Sequence, residues 1–248
     1  MEKIKEQLDQ LRSRYNCKEF IEKDPVQFSH RYDRKQDVEI VSFLVATISW
    51  GNRQSILKSA EKMLALMGTS PYEFVQSKEY LNLGKANIHR TFFETDLAYY
   101  CRGLDALYNK YDSLEELFSA DKCLWKGIVN FRNEVVLANN GMESKHISNP
   151  LKNSASKRLH MALRWLVRND GIVDLGLWPS ISPSQLFIPI DTHVARISRE
   201  LGLLKRKSND RKAVVELTSK LREIDPLDPV SYDFALFGWG ENRNFLKE

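Results

Sequence analysis

From Val38 to Ile48 the chain reads Val-Glu-Ile-Val-Ser-Phe-Leu-Val-Ala-Thr-Ile, which is apolar on most sides at 3.6 residues per turn. A helix of that kind cannot lie along a solvated surface. It has to be central, with other elements packed around it, and Asp37 immediately before it is the expected N-cap. The run stops at Ser49-Trp50-Gly51-Asn52-Arg53, and a second helix follows with Ile56, Ala60, Met63, Leu64 and Met67 in register and Gly68 as its stop. A glycine among Trp50, Asn52 and Arg53 predicts a tight turn. Two readings stay open: a plain helix-helix link with one tucked-in tryptophan, or a turn whose side chains project outward.

Helical spacing recurs through the remaining chain. Ile4, Leu8, Leu11 and Tyr15 share one face of an opening helix over residues 2–16, and Asp24-Pro25 with Ser29 to Arg34 then break the pattern. Pro71 starts a short helix, and Lys85 to Thr91 reads as a loop. Further helices carry Leu97, Tyr100, Leu104 and Tyr108, then the capping box Ser113-x-x-Glu116, then Trp125, Ile128, Val135 and Val136. After the polar link Ala138-Asn139-Asn140-Gly141 comes a helix bearing Leu159, Leu163, Leu166 and Val167, and a Pro/Gly-rich excursion from Asp170 to Pro183. Two last helices begin at Asp210 and at Asp228-Pro229. With no period-2 runs between hairpin turns, the expected fold is all-α. The breaks predict a central bundle over 35–141 and a second helical domain made of 1–34 plus 142–248.

Composition narrows the function classes. The three cysteines, Cys17, Cys101 and Cys123, lie far apart and form no Cys-x-x-Cys pair, so no disulfide framework, zinc site or iron–sulfur cluster is expected and a reducing cytoplasm fits. No run reaches the length of a membrane span. The net charge of +4 permits a nucleic-acid partner without arguing for one. Positive charge gathers in Lys205-Arg206-Lys207 with Arg211 and Lys212, and in the row Lys157, Arg158, Arg164 and Arg168, which suits either a solvated helix face or a phosphate track.

The segment Ile188-Pro189-Ile190-Asp191-Thr192-His193-Val194-Ala195-Arg196-Ile197 turns from an apolar run into a helix at Asp191, its expected N-cap, with Gly202 as the C-terminal stop. A carboxylate at the positive end of a helix dipole is favoured in its ionised form. Asp191 is either only a cap or a charge that faces a cation. Pro189 to Gly202 resembles the helix-hairpin-helix superfamily of base-excision DNA glycosylases, which includes endonuclease III and the 8-oxoguanine glycosylases, and the chain looks closest to an uncharacterised bacterial branch.

The resemblance implies two helical domains flanking a cleft, double-stranded DNA as partner, and a catalytic aspartate at Asp191. In bifunctional members a nucleophilic lysine opens the helix after the hairpin, a place Lys157 holds here after the candidate hairpin Leu151-Lys152-Asn153-Ser154-Ala155-Ser156. That hairpin departs from the family's Leu-Pro-Gly-x-Gly, although Asn153 can adopt positive φ. DNA contacts are expected from Asn52 or Arg53 as a wedge, from Asn153, Ser154 and Arg158, and from Lys205, Arg206 and Lys207. Trp50, His193, Phe237 and Trp239 are candidates for a base pocket, with core packing as the alternative for the aromatics. The implied activity is removal of a damaged base, with or without strand cleavage, using no cofactor. Two rival readings are a DNA-binding helix-hairpin-helix protein without glycosylase activity and an all-α interaction scaffold. Salt-dependent binding to DNA separates the scaffold from the other two.

Overall fold

A computed structural model of the protein describes residues 2–241. In chain order the elements are α1 (Glu2–Tyr15), α2 (Lys18–Lys23), α3 (Lys35–Ile48), α4 (Arg53–Met67), α5 (Pro71–Gln76), β1 (Asn87–His89), β2 (Phe92–Phe93), α6 (Glu94–Tyr108), α7 (Leu114–Ser119), α8 (Leu124–Ala138), α9 (Lys157–Val167), α10 (Thr192–Glu200), α11 (Arg211–Ile224) and α12 (Asp233–Glu241), with short 3-10 turns between some of them. The fold is all-α. It also holds a small antiparallel hairpin β1–β2, paired Asn87 with Phe93 and His89 with Phe92, in part of the stretch read from sequence as a loop. Three and two residues are too few to show a period-2 pattern, and neither Arg90 nor Thr91 at the tip is a customary turn residue.

The chain folds as two compact units, Ile21–Asn149 and the described residues on either side of that stretch. In the inserted unit α3 is buried along its length from Asp37 to Ile48. Phe43 lies stacked at 4.9 Å from Phe131 and 5.7 Å from Phe118, and burial of each such ring contributes roughly 2 kcal/mol. Residues 25–31 pack on α3 through buried Val26 and Phe28, and the Ser29 hydroxyl meets that of Ser42 at 2.9 Å. His146 stacks on Trp50 and meets Phe92 edge-on. These contacts hold residues 21–34 and 142–149 in the inserted unit, outside the 35–141 span expected from composition breaks.

Asp37 does not cap α3. It is the third residue of that helix, and its carboxylate accepts from the Tyr72 amide at 2.7 Å and the Ser70 hydroxyl at 3.0 Å, so it secures the start of α5 instead. A buried carboxylate needs donors, and the free amides of a second helix start provide them.

In the outer unit α12 is packed on two sides. A Cβ at Gly238 would lie 2.3 Å from the Tyr15 ring of α1, and one at Gly240 would lie 2.7 Å from Cβ of His193 on α10, so only glycine permits both approaches. The excursion after α9 is ordered by that helix. The Leu175 and Trp178 amides donate to the Trp165 and Leu166 carbonyls at 2.7 and 2.9 Å, and the Trp178 ring is fully buried.

Candidate functional site

Ile188 and Ile190 are buried and anchor the approach to α10, and Pro189 between them allows no helix to start earlier. Asp191 is extended, at φ −111° and ψ −171°, and its Oδ1 accepts from the Val194 amide at 2.8 Å. Val194 and Ile197 sit buried beneath it and Gly202 ends the helix at φ +72°, as the sequence predicts. The carboxylate is half-buried, and its second oxygen accepts no hydrogen bond among the described residues. It is a cap with one oxygen to offer.

Lys157 opens α9 as expected, half-exposed beside Arg158. The rest of the basic row is not a solvated face or a phosphate track. Arg164 and Arg168 are 4% and 3% exposed. Arg164 pairs with Asp233 and, at 3.3 Å, with Asp174, while Arg168 pairs with Asp174, with Asp170 at 3.0 Å and with Asp228 at 2.9 Å. Two buried guanidinium groups thus face four carboxylates, Asp174 and Asp233 buried and Asp170 and Asp228 partly exposed. Burial pushes the Asp233 carboxyl up to about 6; the charges of Arg164 and Lys157 oppose the shift and that of Asp191 adds to it. Burial likewise raises Asp174. Asp191, Lys157 and Asp233 therefore act within one electrostatic neighbourhood, built from the starts of three helices.

Asp233 is the residue that sequence reasoning missed. Its only local signal is a carboxylate between Tyr232 and Phe234 in an otherwise apolar helix, which has to find a cation when buried. Phe234 beside it lies beneath Arg164, 4.4 Å from the guanidinium carbon to the ring centroid, and belongs to the core.

The segment before α9 takes a left-handed turn without glycine at two places, Asn153 at φ +63° and Ser156 at φ +49°. Its amides are partly used within the turn, Asn153 N to the Pro150 carbonyl at 3.2 Å and Ser156 N to Ser154 Oγ at 3.2 Å. Asn153 also binds α11: its Nδ2 donates to Asp210 at 3.0 Å and its carbonyl accepts from the Arg211 amide at 3.1 Å. Ser154 forms an isolated bridge with Asp210. An open hollow of about 480 Å³ lies alongside, lined by Leu151, Asn153, Arg211, Lys212 and Val215 among others. The Ser156 hydroxyl is buried and has no hydrogen-bond partner among the described residues.

Residues 24–242 match a family model described as "Protein of unknown function (DUF2400)". The chain belongs to the DUF2400 family. No curated protein and no solved structure matches it.

The other sequence-predicted positions of this DUF2400 chain divide between the two units. In the outer unit His193 is exposed, its Nδ1 3.0 Å from the Gly240 carbonyl and its ring edge-on to half-buried Phe237 at 6.2 Å. Trp239 is buried, and its Nε1 has no hydrogen-bond partner among the described residues. Lys205 and Lys207 are exposed on the α10–α11 loop, whose Arg206 and Lys207 carbonyls are both held by Arg199 at 2.8 Å. Arg206 grips Asp210 with two nitrogens and holds that carboxyl well below the usual range. In the inserted unit Trp50 is clamped between His89 and His146, Arg53 opens α4, and Asn52 caps it, its Oδ1 accepting from the Ser55 amide at 3.2 Å. Among the described residues no group of three or more His, Cys, Asp or Glu is arranged to hold a metal, and no helix is long and apolar enough to cross a membrane.

Proposed function

We propose that the chain is a DNA-repair glycosylase, with Asp191 stabilising the positive charge that builds on the sugar as the bond to a damaged base breaks. The observation that carries this reading is the α10 cap: Asp191 binds the helix start with one oxygen and keeps the other open, in a neighbourhood that Lys157 and Asp233 share. A fixed carboxylate acts best on a developing cation where it need not reorganise, and a capping bond fixes it. The departing base takes the electron pair of the glycosidic bond. In the bifunctional version the amine of Lys157 adds to the sugar carbon that the base has left, and its proton passes to the ring oxygen as the bond from that carbon to the ring oxygen breaks, which gives a Schiff base. The reading needs no cofactor, and it draws its DNA partner from the resemblance of residues 189–202.

The test is a panel of duplexes carrying 8-oxoguanine, uracil, thymine glycol or an abasic site, with borohydride trapping. Asp191→Asn keeps a side-chain oxygen for the Val194 amide, and it is expected to lower base release roughly 100-fold or more with little loss of stability. Lys157→Ala is expected to abolish the trapped adduct. Salt-dependent DNA binding without base release on any substrate points to a binding module, and trapping that survives in Lys157→Ala assigns the nucleophile elsewhere.

A further inference from the structure

The α3–α4 turn and the tip of the β1–β2 hairpin form one built surface. Gly51 stands at φ +100°, and a Cβ there would lie 2.4 Å from Arg90 Nη1, so the missing side chain leaves the slot in which the Arg90 guanidinium rests. Arg90 is itself left-handed, at φ +51°, and its carbonyl accepts from Asn87 Nδ2 at 2.6 Å. Beneath it, His89 Nε2 bonds the Trp50 carbonyl at 2.9 Å and His89 Nδ1 meets Ser59 Oγ at 2.9 Å. The Trp50 ring lies edge-on to His89 at 4.7 Å and stacked on His146 at 5.5 Å. Two unusual backbone positions and a clamped tryptophan thus fix where one exposed guanidinium sits.

The charges nearby are unequally engaged. Asp96 accepts from the Phe93 amide at 2.9 Å, Glu94 from the Ala86 amide at 3.4 Å, and Glu61 is paired with Arg31 at 2.7 Å. Lys62 donates to the Asn87 carbonyl. Exposed Arg90 and Lys85 have no acidic partner among the described residues. The acids serve the chain's own donors, and the cations are left for an anion from outside.

We propose that Arg90 is a phosphate contact for duplex DNA. A planar guanidinium held against a turn offers a two-pronged donor to phosphate oxygens with little side-chain freedom left to lose. This rests on the DNA-binding part of the proposed function.

The experiment uses the full chain and a short fluorescein-labelled duplex, with anisotropy titrations over a series of salt concentrations. The wild-type protein binds with a negative salt slope. Arg90→Ala weakens binding severalfold at low salt and reduces the slope by roughly 0.9, one phosphate's share, with an unchanged melting temperature. Arg90→Lys retains the slope. Arg31→Ala, which removes a cation already paired with Glu61, binds as wild type. If Arg90→Ala melts lower, Arg90→Gln decides, because it keeps a stem over Gly51 and loses only the charge. Wild-type affinity and slope in both neutral variants overturn the Arg90 assignment while the DNA reading stands. No binding by the wild-type protein overturns both, and displacement by polyglutamate as readily as by DNA overturns the assignment in favour of a general anion surface.

Discussion

Two buried carboxylates of the inserted unit, Glu39 and Asp37, and two of the outer unit, Asp233 and Asp174, are satisfied in opposite ways. In the inserted unit Glu39 is fully buried and is met by neutral donors: the Tyr108 hydroxyl at 2.9 Å, the Ser113 hydroxyl, and the Leu114 amide at 3.1 Å. Asp37 nearby is held by the Ser70 hydroxyl and the Tyr72 amide. Each of these acids ties the core to the start of another helix. In the outer unit Asp233 and Asp174 are met by arginines that are themselves buried. A hydrogen-bonded carboxylate is a local arrangement that survives small changes, whereas a network of full charges fails as a unit when one member is removed.

The largest test of that contrast is Arg164→Leu. It leaves Asp233 without its guanidinium and Asp174 with only Arg168, and the expected loss is about 3–5 kcal/mol from the outer unit. Hydrogen exchange followed by mass spectrometry should show protection falling in residues 150–241 and holding in 21–149. An equal loss in both would mean that the units do not differ in the way described.

Next in size is a pH effect. The Asp233 carboxyl, raised from 3.8 to about 6, holds its proton more tightly folded than unfolded. Its contribution to stability is therefore present at low pH, is lost as pH rises from near 4 to about 6, and totals on the order of 3 kcal/mol. Asp210, held low by Arg206, works the other way, adding stability above about pH 4 that is lost as pH falls. Chemical denaturation between pH 4 and 7 should show the first slope, and Asp233→Asn should flatten it. A slope that persists in that variant assigns the titration to another group.

The smallest is Glu39→Ala, expected to cost about 2 kcal/mol by leaving two hydroxyls and an amide without their acceptor. Its denaturation midpoint should lie above that of Arg164→Leu. The reverse order would erase the distinction between local and networked burial.

What the sequence disclosed follows from whether a residue's partner is near it in the chain. Asp191 finds Val194 three residues on, and the register of Ile56, Ala60, Met63 and Leu64 is set by the turn of one helix, so both were legible. Asp37 meets Tyr72 35 positions away and Asp233 meets Arg164 69 away, and nothing local announces either. The row from Lys157 to Arg168 looked like one basic face because helical spacing says which residues align and not which side is buried. Arg90 was hidden twice, in a hairpin too short for a pattern and in a left-handed conformation that glycine or asparagine normally signals.

The pair of close approaches on α12 sets an order of assembly. Tyr15 on α1 lies against Gly238 on α12, so the first helix of the described chain completes its packing only after the last has been made. During synthesis residues 21–149 emerge as one contiguous unit, while α1 waits through more than two hundred residues for its counterpart. The outer unit is thus the later to be completed, and a ribosome stalled before residue 233 would hold all of residues 21–149 but an α1 still without α12.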